Sequence, residues 1–356
     1  MEGALDKLIA EVGRGVTQVE MLVGREALGS WPGATSKLTL WAHLPPAEGK
    51  LVHAYMTLGL EAATTASLPL RVKVLLDGAS VTREVKPQFT VELDETKYHK
   101  AAYDVRPILA KRLGKGWFHR LQFIYDLVQP VYFRDATFIL LYEVEGARYA
   151  ISALTGAKVL EPGEVSVEYP PFYNSFGGAR TASLIIHSPY HESKFEVVVA
   201  GASSGAIQGL GSFPIRVPFT YRGNLIPVSI KYMKHEYPFY PKRAVITDIV
   251  LEEVKLPESR VDIEIVSTEL VQDRVKVKVI VKNEGDVTLK RAIVSLVALG
   301  GQLAQKKLRA LEAGSVAEVE LMADISRLPA KPSSAVVTLI GYVLGKRVEV
   351  SKEVRL

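Results

Sequence analysis

The chain has 356 residues, 48% of them hydrophobic and 23% charged, with a formal net charge of +5 at pH 7. That length exceeds one ordinary core and calls for two or three domains, and the composition excludes a disordered chain. The absence of cysteine excludes disulfides, zinc–thiolate sites, iron–sulfur clusters and cysteine nucleophiles.

The start, MEGALDKLIAEVG, lacks the apolar stretch of a signal peptide. Leu5, Leu8, Ile9 and Val12 recur at helical spacing, which predicts a short amphipathic helix within residues 1–15. From residue 16 to 154 the pattern has period two, with Gly, Pro and Asp between the runs, as in LPPAEGK and LLDGAS. This predicts a jelly-roll-like β-sandwich. One helix is expected inside it, over 105–113, with Asp104 as N-cap, Pro107 in the first turn and Gly114 at the end. The densest basic stretch follows: Lys111, Arg112, Lys115, His119 and Arg120. It reads as a solvated helix end, and no nucleic-acid partner is expected.

Pro162 and Gly163 lie near a predicted boundary, and residues 155–256 read as a second β-sandwich. The linker LPESR leads to a third unit, 260–356, with seven short strands in under a hundred residues. RVKVKVIVK alternates cleanly, placing Val275, Val277, Val279 and Val281 on one face. Seven strands at this spacing, with turns such as NEGD and EAGS, predict an immunoglobulin-like sandwich. The expected fold class is therefore all-β: three tandem sandwiches, a short N-terminal helix and one helix in the first domain.

The segments KVKVIVKNEGDVTLKRAIVSLVA and LEAGSVAEVEL carry Asn283, Gly285, Leu311 and Gly314. In this respect the third unit resembles the Ig-like modules of archaeal and bacterial surface proteins, the S-layer-associated and cell-adhesion-related group. FPIRVPFTYRGNLIPVSIKY is similar to a hairpin of the same proteins, and YDVRPILAKRLGKGWFHRLQFIYD looks weakly like a segment of carbohydrate-binding jelly rolls. The resemblance implies a structural or adhesive role and no chemistry.

Motifs for chemistry are absent. There is no GxxxxGK[ST], no GxGxxG between strand and helix, no G-x-S-x-G elbow and no EF-hand loop. HSPYHE supplies His187, His191 and Glu192, the nearest thing to a metal set. Pro189 denies it a helix, so these read as surface residues and no metal or cofactor is expected. Two stretches interleave aromatics with proline. YPPFYNSFGG holds Tyr169, Phe172, Tyr173 and Phe176, and HEYPFYPKR, following Tyr232, holds Tyr237, Phe239 and Tyr240. They read first as the seam between adjacent sandwiches, with a protein interface and a glycan platform as alternatives.

Asparagine occurs only at 174, 224 and 283, which with zero cysteine and abundant Lys, Arg and Glu predicts a heat-adapted source. None of the three begins a glycosylation sequon. The expected function is non-enzymatic: a structural or adhesive component of a cell envelope or extracellular assembly. It would act through protein–protein contacts and self-association, and would meet a membrane only through an anchor outside this chain. A carbohydrate-binding module and a cytoplasmic β-sandwich adaptor are the alternatives.

Overall fold

A computed structural model describes residues 3–29, 36–45, 49–66, 68–112, 116–125, 129–171, 175–221, 223, 225–233, 243–258, 260–299, 301–326, 332–343 and 346–356. In chain order the strands are β1 Gly3–Arg14, β2 Val16–Val23, β3 Ala27–Leu28, β4 Lys37–His43, β5 Lys50–Ala63, β6 Val72–Leu76, β7 Ala79–Thr82, β8 Phe89–Leu93 and β9 Thr96–Asp104. The helix α1, Arg106–Leu109, separates them from β10 Phe118–Tyr125, β11 Val131–Glu143, β12 Arg148–Leu160, β13 Val165–Glu168, β14 Ala179–Ser188, β15 Lys194–Val199, β16 Ala202–Gln208, β17 Gly211–Pro218, β18 Val228–Tyr232 and β19 Ala244–Lys255. The last seven are β20 Val261–Val271, β21 Arg274–Asn283, β22 Lys290–Ala298, β23 Gly301–Lys307, β24 Val316–Asp324, β25 Ser334–Val343 and β26 Lys346–Arg355. The all-β, multi-sandwich class expected from the sequence is the observed one.

The chain divides into two compact units, Met1–Lys255 and Leu256–Leu356. The described residues of the first contain four sheets. An outer sheet, β4-β10-β6-β7, covers one face of an inner sheet, β2-β11-β5-β9-β8, and Phe123 meets Phe133 across that layer with ring centroids 5.2 Å apart. A second inner sheet, β1-β12-β19-β14-β17, is covered by β13-β18-β15-β16, with Leu184, Ile186, Phe195, Val197 and Ile230 in the layer between them. The two inner sheets pack on each other through Ile9, Val19, Ile139, Leu141, Ile151 and Val250. The middle strands of each inner sheet are thus covered on both faces. This explains why β12, β14 and β19 read as near-continuous apolar runs rather than as alternation.

Three expectations need correction. In place of the helix expected within residues 1–15, Gly3–Arg14 is an edge strand that pairs antiparallel with β12. A bulge between Lys7 and Ile9 resets the alternation there. Leu8 and Ile9 then both pack into the layer between the inner sheets, and the sequence mimics helical spacing. The boundary expected between 154 and 155 falls inside β12, which runs unbroken from Arg148 to Leu160 and pairs with β1 and β19. The helix expected over 105–113 spans only Arg106–Leu109; Asp104 Oδ1 accepts the Arg106 N–H at 2.9 Å.

The second unit packs β20-β21-β24 against β23-β22-β25-β26 around Val277, Val279, Leu289, Leu296, Leu321 and Val337. Asn283, at the end of β21, is 1% exposed. Its amide Nδ2 donates to the carbonyls of Val287, Leu311 and Glu312 at 2.8, 2.9 and 3.1 Å, and its Oδ1 accepts the Gly285 N–H at 3.2 Å. The turn after β21 is thereby latched to the segment before β24. Asn283→Ala orphans these buried groups and is expected to destabilise this unit by about 2 kcal/mol, read from its denaturant midpoint. A shift of a few tenths would show that the latch is not needed.

Candidate functional site

The aromatic–proline stretches do not gather into one described surface. Tyr169 is 57% exposed. Phe176 packs against the layer behind β14 and β19, with the Arg148 guanidinium 5.2 Å above its ring. Tyr232 is fully buried. Phe172, Tyr173, Tyr237, Phe239 and Tyr240 lie outside the described residues. His187 is not a surface residue: it is buried, with Nε2 3.1 Å from Glu61 Oε2 and Nδ1 3.1 Å from Ser212 Oγ. His191 and Glu192 are exposed. Among the described residues no group of three or more His, Asp or Glu side chains is placed to hold a metal, and no helix is long and apolar enough to cross a membrane.

A different surface concentrates exposed aromatic and basic groups. On β4 the odd-numbered residues face outward, and on β10 the even-numbered ones do. The register sets His43 opposite Phe118 and Trp41 opposite Arg120. Trp41 is 58% exposed, Trp117 61% and Phe118 63%. His43 holds the last two together, with its ring 6.0 Å from Trp117 and 5.1 Å from Phe118. Beside them lies a cavity of about 580 Å³ lined by Trp41, Lys111, Arg112, Phe118 and Arg120, with Asp77 and His119 at its base.

The base is built by local structure. Asp77 and Gly78, both in the left-handed region, form the two-residue turn of the β6–β7 hairpin. The Asp77 carboxylate accepts the Arg120 N–H at 2.8 Å and lies 2.7 Å from His119 Nδ1, while Arg112 donates to the Asp77 carbonyl. The one carboxylate among the described lining residues, Asp77, is therefore already engaged. Lys111, Arg112 and Arg120 leave the rim cationic. The basic stretch was legible in the sequence. Trp41 was not, because the sheet register brings it there from about 80 residues away.

A second cluster lies between the inner sheets of the first unit. Lys100 on β9 is fully buried, and its Nζ sits 2.5 Å from Asp135 Oδ1 and 2.7 Å from Asp248 Oδ2. Tyr98 donates to Asp135 Oδ2 at 2.5 Å. Asp248 accepts from the hydroxyls of Thr57, Thr137 and Thr155 at 2.9, 2.7 and 2.7 Å. Burial alone would lower the Lys100 pKa, but the two carboxylates outweigh it and raise it. Burial and the Asp135 charge push the Tyr98 phenol well above its usual range. Nearby, Glu61 accepts from Arg134 Nε at 2.6 Å and Thr96 Oγ1 at 2.6 Å, besides its contact with His187. In a one-sided sheet a strand charge marks a solvated face; at these positions both faces of the strand are covered.

No family model and no curated protein matches the chain. Solved structures of a β-glucuronidase from Ruminococcus gnavus do match. The complex with N1-substituted uronic isofagomine is 12% identical, with a TM-score of 0.22 over 60% of this chain and 37% of that one. The complex with D-glucaro 1,5-lactone is 14% identical at the same TM-score, over 59% and 36%. The chain spans little more than a third of those proteins, and a likeness this weak carries no argument about site or activity.

Proposed function

We propose that this chain is a non-enzymatic adhesive protein of rigid β-modules that binds an acidic saccharide on the outer face of β4 and β10. The carrying observation is the cross-strand row of Trp41, Arg120, His43 and Phe118 beside Trp117, with large rings left in water and cations between them. Sugar rings present C–H faces that stack on aromatics, while carboxylate or sulfate groups pair with guanidinium and ammonium. Rings held on strands of a sheet need little ordering on binding, so less affinity is lost to entropy. A cell-surface setting suits this reading.

Tryptophan emission should change on titration with a sulfated or carboxylated oligosaccharide, more weakly with the neutral parent sugar. Trp41→Ala is expected to weaken that binding at least about tenfold, equivalent to about 1.4 kcal/mol. Arg120→Ala should reduce its salt dependence. No emission change with any acidic oligosaccharide, or equal binding of neutral ones, would refute the assignment.

A further inference from the structure

The seam between the inner sheets holds one amine and two carboxylates in a site closed to water, and we propose that they react. Lys100 and Asp135 condense to an intramolecular amide that ties β9 to β11, and Asp248 moves the protons.

The register prepares the bond. Lys100 and Asp135 both lie opposite Gly59 on the intervening strand β5. A Cβ at Gly59 would come within 2.3 Å of Asp135 Oδ2 and 2.0 Å of the Tyr98 hydroxyl. Glycine therefore clears the space in which the two side chains meet. Lys100 Nζ and Asp135 Oδ1 are 2.5 Å apart and both side chains are fully buried, so nitrogen and carboxyl group meet without any search.

The groups around them match the steps. The ammonium proton passes to the Asp135 carboxylate, giving a neutral amine and a carboxylic acid. The nitrogen lone pair then attacks Asp135 Cγ and forms the C–N bond, and the carbonyl π pair moves onto Oδ2. Tyr98 donates to that oxygen and stabilises its developing charge. Asp248 Oδ2, 2.7 Å from Nζ, takes a proton from the nitrogen and delivers it to Oδ1. The C–Oδ1 bond breaks, Oδ1 leaves as water and the carbonyl re-forms. One ammonium and one carboxylate become one amide and one water, so net charge is unchanged and no oxidant or reductant is required. Asp248 ends ionised, as it began, with its three threonine donors in place. Exclusion of bulk water protects the product from hydrolysis.

The test is the intact mass of the denatured full chain, which is expected to fall below the sequence mass by one water. Tryptic digestion should then yield residues 98–111 joined to 135–148, uncut after Lys100. Asp248→Asn is expected to form the link at least about a hundredfold more slowly and to show the full sequence mass when fresh. The wild-type measurement does not depend on that variant folding. A wild-type mass equal to the sequence mass overturns the proposal. So does a lost water that maps to a cyclic imide at Asp77–Gly78, and full linkage in Asp248→Asn removes Asp248 from the mechanism.

Discussion

Lys100→Met should destabilise the first unit by about 3–5 kcal/mol, the usual cost of removing one partner from a buried ion pair. Methionine fills much of the vacated volume, so the loss is electrostatic rather than a cavity. Among the described residues Asp135 then keeps the Tyr98 hydroxyl as its side-chain donor. Asp248 keeps three threonine hydroxyls and is the better satisfied of the two. The prediction therefore has a second half: Lys100→Met with Asp135→Leu should recover most of the loss, because a buried pair replaced by apolar groups is often neutral or stabilising. Denaturant midpoints of the single and double variants check both halves. If the double variant is no more stable than the single one, the charge left on Asp135 was not the cause. Where Lys100 and Asp135 are joined as an amide, the single and the double variant both lack that covalent closure between residues 35 apart in sequence, so the double variant recovers only the part of the loss due to the stranded Asp135 charge.

Acid should destabilise the first unit through Glu61. Burial alone would raise this carboxyl, but the hydrogen bond and charge of His187, the charge of Arg134 and the Thr96 hydrogen bond outweigh it, and its pKa falls from 4.5 to about 2. The folded value lies below the unfolded one, so the stabilisation is present above pH 4.5 and is lost as pH falls toward 2. At about 1.4 kcal/mol per unit, that is about 3 kcal/mol. Denaturant midpoints measured between pH 5 and 2 should show this loss in the wild type and a flatter profile in Glu61→Gln. Equal slopes in the two proteins would show that Glu61 titrates alike in the folded and unfolded chain.

Both predictions concern residues whose burial no local pattern announces. Lys100 sits in TKYHKAAYD, next to His99, and Asp248 in AVITDIVLEE, next to Thr247. Alternation assigns such charges to a solvated face when a sheet has one. Midway along β9, β11 and β19 both faces are covered, so the charges of Lys100, Asp135 and Asp248 are buried.

The second unit was the more legible part. RVKVKVIVK alternates because β21 belongs to a two-sheet sandwich with one wet face, and its apolar residues are the buried ones. Asn283, Gly285, Leu311 and Gly314, which carried the resemblance to surface-protein modules, prove to be parts of one turn latch. The N-terminal segment shows the opposite case. One bulge in β1 shifted its apolar residues into helical spacing, and pairing with β12, more than 130 residues away, decided the matter.

The sequence by itself determined an all-β chain, the seven strands of the last unit, the turn chemistry and the basic stretch around Arg112. Each of these depends on residues close together in the chain. Only the tertiary structure decided that Met1–Lys255 is one compact unit, whose described residues stack four sheets. It also decided that Trp41 stands beside Arg120, and that Lys100 meets two aspartates in the interior. The physical reason is that sheet register and sheet-on-sheet packing join residues separated by tens to hundreds of positions, and a period-two pattern says which residues share a face but not what that face meets.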